Sequence, residues 1–97
     1  MATTKLKQQL DHLVDGFDIL SEDHVQDFSV NLLLNLSIGV EAGDWSENEY
    51  PESFARARAL LQKHKAWYLD QPYFMRSVQV IREDFPRDHW WWYIEQV

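Results

Sequence analysis

Asp11-His12-Leu13-Val14-Asp15 and Asp23-His24-Val25-Gln26-Asp27 both read DHxxD, and histidines backed by carboxylates are residue types that can hold a divalent metal. The spacing argues against one shared site. A tight turn near Ser21 puts the two histidines about six residues apart along a helical hairpin, roughly 9 Å at 1.5 Å per residue, and neither stretch has the ligand spacing of a zinc motif. No metal or cofactor is therefore expected.

Covalent catalysis fares no better. It needs a Ser, Thr or Cys held beside a base, and the chain has no cysteine, no GxSxG and three isolated glycines that build no phosphate-cradling loop. Carboxylates abound, but without a pocket their abundance singles out no acid–base pair. His64 falls on the apolar side of its helix, as a core or boundary histidine does, and His89 beside Asp88 is an ordinary local pair. A non-enzyme is expected.

Aromatic content sets the chain apart. Five Trp, four Tyr and five Phe occur in 97 residues, clustered at Trp45 to Tyr50, Trp67-Tyr68, Tyr73-Phe74 and Trp90 to Tyr93. Trp and Tyr dominate protein interfaces, so Trp45, Tyr50, Trp90, Trp91, Trp92 and Tyr93 are candidate partner anchors. Flat rings also stack on flat ligands, and the alternative is a small-molecule site, for an aromatic or tetrapyrrole-like ligand, walled by Trp67, Tyr68, Tyr73 and Phe74. The three consecutive indoles present more apolar surface than one face of a helix or strand can cover, so the C-terminal stretch is expected at a homodimer or partner interface. The competing arrangement is a tail folded back onto its own core.

Charge points the same way. Net charge is −7, with 2 basic and 11 acidic residues in positions 1–52 against 7 basic and 5 acidic in 53–97. Such a surface repels nucleic-acid phosphates and anionic lipids and attracts a basic protein. Asp11, Asp15, Asp18 and Glu22 follow at i, i+4, i+7 and i+11, a helical stripe that would steer such a partner or simply face solvent. Arg56, Arg58, Lys63 and Lys65 on a later helix could answer it within the molecule or across a dimer.

The elements that must position these residues are helical. Val25 to Val40 carries apolar residues nearly all round, which marks a central core helix over about residues 22–40, interrupted by Asn31 and Asn35. Those amides are either satisfied locally or set register at a helix or subunit seam. Before it, Leu6, Leu10, Leu13, Val14, Phe17 and Leu20 define an amphipathic helix from Thr4 to Leu20, with Gly16 marking a bend or a close approach. Ser21 reads as a cap, with Leu20 stapled to Val25, so the pair forms an antiparallel hairpin.

Gly39 and Gly43 are expected to end the central helix, and Pro51 to begin a third, running through Phe54, Ala57, Leu61, His64 and Tyr68. Pro72 opens a fourth, with Phe74, Val78 and Ile81 inward. Alternation at Ser77-Val78-Gln79-Val80 admits a short strand, but one with nothing to pair with. Pro86 stops that element, and a short fifth helix is expected at the C-terminus. The whole reads as one all-α domain of four to five helices. With no cysteine, no apolar leader and no apolar run of the roughly 20 residues that span a bilayer, it is expected to be soluble and cytoplasmic.

Overall fold

The structure is a computed structural model describing residues 2–20 and 28–97, with side chains from Lys5 onward. It is all-α: five helices and short 3₁₀ turns, with no strand among the described residues. Helix α1 spans Ala2–Asp15, α2 Val30–Ala42, α3 Pro51–Lys63, α4 Lys65–Leu69 and α5 Pro72–Ile81. The cap at Ser21, its staple to Val25, Glu22 and His24 lie outside the described residues.

Helix α2 is the centre of the core. Val30, Leu33 and Leu36 are buried, whereas Asn31, Asn35, Ile38, Glu41 and Ala42 are exposed. The two asparagines therefore sit in solvent, where their amides need no buried partner. Fully burying each of Leu33 and Leu36 contributes about 1.5–3 kcal/mol. Gly43, not Gly39, ends the helix. Its φ of 81° is the left-handed conformation that glycine adopts without strain, and the N–H groups of Gly43 and Asp44 return to the carbonyls of Val40 and Gly39.

Helix α1 lies antiparallel to α2: Gly16 faces Leu32, while Gln9 and His12 share a groove with Asn35, Ile38 and Gly39. A β-carbon at Gly16 would stand 2.7 Å from a Leu32 methyl, which is the close approach its position in the sequence suggests, and the helix tightens there into a 3₁₀ turn, Gly16–Asp18. Helix α3 runs beside α1 in the same direction, since Asp11, Asp15 and Asp18 meet Ser53, Arg56 and His64 in turn.

Pro51 and Pro72 occupy the first turns of α3 and α5, where a missing N–H costs nothing. The third expected helix is broken at His64 (φ −106°, ψ 15°), whose ring is drawn to Asp18 at 2.6 Å. Beyond the break, Tyr68 is fully buried and its hydroxyl donates to the Phe17 carbonyl at 2.8 Å, tying α4 to the end of α1. The stretch Ser77 to Val80 is helical, within α5. In place of a fifth α-helix the C-terminus forms two 3₁₀ turns, Trp90–Trp92 and Ile94–Gln96.

Burial pushes the Tyr68 phenol up to about 12, against a small opposing effect of the nearby Ser29 hydroxyl. Because the folded value is raised, this stabilisation is complete below the unfolded value near pH 10 and is lost as pH rises toward 12. Two pKa units correspond to about 2–3 kcal/mol. Urea midpoints measured from pH 9 to 12 should therefore fall more steeply for the wild type than for Tyr68→Phe, which lacks the ionising group. Parallel curves would show that the phenol titrates freely.

Candidate interaction surface

The α1 stripe is answered within the molecule. Lys7 donates to Asp11 at 2.7 Å and Ser53 to the same carboxylate at 2.5 Å, Arg56 pairs with Asp15, and Asp18 takes His64 at 2.6 Å with Lys63 at 3.9 Å. Partial burial raises Asp11, but the hydrogen bonds from Lys7 and Ser53 outweigh it and hold the group below the usual carboxylate range. Asp18 is lowered chiefly by the His64 hydrogen bond. Both folded values are depressed, so their contribution is present above about pH 4 and lost as pH falls below it.

The tail folds back. Trp91 and Trp92 are 2% and 0% exposed, contrary to the expectation that the chain carries more indole than it can hide. The reason is a polar partner inside the core, the Ser37 hydroxyl on α2. It accepts the indole N–H of Trp91 at 2.9 Å and of Trp92 at 2.7 Å, and contacts His89 Nδ1 at 2.9 Å. A hydroxyl has two lone pairs and one proton, so with both lone pairs engaged Ser37 donates to Nδ1. The His89 proton then sits on Nε2, facing Glu41 at 3.1 Å.

Phe85 stacks on Trp92 and on His89, and His89 on Trp91, with ring centroids 4.7–5.6 Å apart. Trp90 is half-buried beneath the Arg58 guanidinium at 4.1 Å and donates to Glu47 at 2.7 Å; Arg82 holds Tyr93 by its face and Glu95 by an ion pair of 2.7 Å. Ser37, His89 and Glu41 thus stand in the order of a nucleophile, base and acid, yet Ser37 is wholly buried with its lone pairs filled. In this structure no substrate atom can reach it.

The other anchors divide similarly. Trp45 and Tyr50 are buried in the core, as are Tyr68 and Phe74, whose rings pack 5.2 Å apart; Trp67 is half-buried and Tyr73 points outward. The four proposed ligand-wall aromatics therefore do not share one face. Among the described residues no three His, Asp or Glu side chains gather as a metal cage, and no helix is long and apolar enough to cross a membrane.

What stays open to a partner lies around the connection from α2 to α3. Positions 41–52 contain Glu41, Asp44, Glu47, Glu49 and Glu52 and no Lys or Arg. Among the described residues none of the five pairs with a Lys or Arg within 4.0 Å. The segment is well ordered by its own contacts: Ser46 and Glu49 bond reciprocally at 3.1 and 3.2 Å, and the Trp45 indole donates to the Leu36 carbonyl at 3.1 Å. That indole lies flat on α2 because position 39 is glycine; a β-carbon there would overlap the ring.

Between α1 and α2 this leaves a groove of about 390 Å³. Leu13, Leu32 and Trp45 form its floor, Ile38, 55% exposed, one wall, and Gln9, His12, Asn35 and Asp44 the polar rim. No family model, curated protein or solved structure matches this chain.

Among the described residues, Trp45 is the only one of the sequence-derived partner residues that belongs to this groove. Asp11, Asp15 and Asp18 face α3, and Trp91 and Trp92 seal the core. The sequence does not single out Ser37, Ile38 or Asp44, and Gly39 reads there only as a helix terminator, since a lone serine or glycine in an apolar helix carries no functional signal before its distant neighbours are known. The aromatic cluster Trp45 to Tyr50 within the acidic first half of the chain is the one visible hint.

Proposed function

We propose that this protein is a non-catalytic interaction module that binds a protein partner with a basic surface. The observation that carries the reading is the block of five carboxylates at positions 41–52, which pairs with no Lys or Arg among the described residues and of which Asp44 lines an apolar groove. The α1 stripe has α3 to answer it; among the described residues this block meets no Lys or Arg, only His89 at Glu41 and neutral donors at Glu47 and Glu49, and its field extends into solvent to attract cations. Trp90, half-buried at the tail, donates to Glu47 of this block and offers an aromatic contact beside it.

The test compares capture from native lysate by the wild type and by the variant Asp44→Asn, Glu47→Gln, Glu49→Gln, Glu52→Gln, in which each amide oxygen can still accept the hydrogen bond the carboxylate accepted. Proteins retained by the wild type should be basic, should elute as salt rises through a few tenths molar, and should be depleted at least tenfold on the variant. Equal capture by both proteins would refute the reading.

A further inference from the structure

We propose that the groove between α1 and α2 seats one amphipathic helix of a basic protein partner, its apolar side chains on Leu13, Leu32, Ile38 and Trp45 and its Lys or Arg residues beside Asp44. The proposal rests on the basic-partner reading and adds where and in what conformation the partner binds. An extended peptide joins a protein by adding to a sheet edge, and the described residues contain no strand. A polyproline segment needs a row of exposed aromatic faces, whereas Trp45 offers only what its 7% exposure leaves. A furrow between two antiparallel helices, apolar along its floor and polar on both rims, is the shape that accepts the apolar stripe of a third helix.

Charge selects the occupant. A second copy of this chain would bring another −7, and its cationic α3 residues are already engaged: Arg56 with Asp15, Lys63 with Asp18, Arg58 over Trp90. Asp44 stands on the groove rim with no Lys or Arg partner among the described residues, and Glu41 follows Ile38 by one turn of α2. A helix with leucine-like anchors at i, i+4 and i+7 and lysines flanking them satisfies both the floor and the rim.

The experiment titrates the isotope-labelled full chain with three synthetic peptides of roughly five helical turns. One has leucines at helical spacing among lysines, one is its scramble with the same composition, and one has glutamate for every lysine. The first should bind at least tenfold more tightly than either other, with amide and indole shifts gathered at His12, Ile38 and Trp45. Ile38→Glu, a change at an exposed position that leaves the fold intact, should weaken it tenfold or more at every salt concentration. Asp44→Lys should weaken it about tenfold at low salt and progressively less as salt rises.

Shifts confined to Ser46, Asn48 and Asp88 would overturn the groove and leave the basic-partner reading standing. Equal binding of the scramble would overturn the helical occupant, and equal binding of the glutamate peptide would overturn both readings. Failure of the leucine–lysine peptide to bind at millimolar concentration also refutes the helix. If tryptamine then binds with the same shifts, the groove belongs to small aromatic amines instead.

Discussion

Replacing Ser37 by alanine should remove roughly 3–6 kcal/mol of stability, because three buried groups lose their partner at once. The indole N–H groups of Trp91 and Trp92 and the Nδ1 of His89 all meet this one hydroxyl, and each unsatisfied buried polar group costs about 1–3 kcal/mol. Domains of this size have a total stability of about 5–15 kcal/mol, so the variant should be unfolded or loosely packed at physiological temperature. The change in packing volume is small, which separates this effect from cavity formation.

Urea unfolding measures the loss, and hydrogen exchange at the two indoles locates it. Both indole protons should exchange far faster in the variant even under conditions where its helices persist. A midpoint shift equivalent to less than about 1 kcal/mol, with both indole protons still protected, would mean that the hydroxyl is not what holds the tail. A variant lacking residues 89–97 should likewise lose cooperative unfolding, since Trp91, Trp92 and Ile94 leave the core together.

Gly39→Ala should be the other costly small change. In an ordinary helix interior the substitution stabilises by up to about 1 kcal/mol through backbone propensity. Here the new methyl group would occupy the space of the Trp45 ring, which is pinned by its hydrogen bond to the Leu36 carbonyl and cannot slide without breaking it. Overpacking costs about 1–3 kcal/mol and the lost hydrogen bond about 1 kcal/mol more, so a net destabilisation near 2 kcal/mol is expected. That lowers the thermal midpoint by roughly 10 °C in a domain of this length.

A double-mutant cycle identifies the cause. Added to Trp45→Leu, the same Gly39→Ala change should be neutral or stabilising, because the ring it collides with has gone and only the propensity gain remains. Additive losses would place the cost in the helix backbone instead. The single variant should also weaken groove binding, since the displaced indole is part of the floor.

Much of the helical framework follows from order along the chain. The apolar periods of α1 and α2, the left-handed Gly43 and the first-turn prolines Pro51 and Pro72 depend on neighbours within a turn or two, and each marks an element the fold contains. The sequence also determined the −7 charge and the concentration of acidic residues before residue 53, and it marked Trp45 in that half as a candidate anchor. The same local rules could not foresee that His64 would break α3, because its partner Asp18 lies 46 positions away.

Tertiary structure decided what the charged and aromatic residues are for. Asp11, Asp15 and Asp18 read as a free stripe until α3 is seen to run beside α1 and supply Ser53, Arg56 and Lys63. Three consecutive tryptophans exceed the face of any single element, but two of them are buried because Ser37, more than 50 positions earlier, offers one hydroxyl that both indoles can share. Gly39 looks like a helix terminator and is a seat for Trp45. In each case local pattern records which face a residue occupies, whereas burial and pairing depend on which distant face arrives opposite it, and only the packed chain brings those faces together.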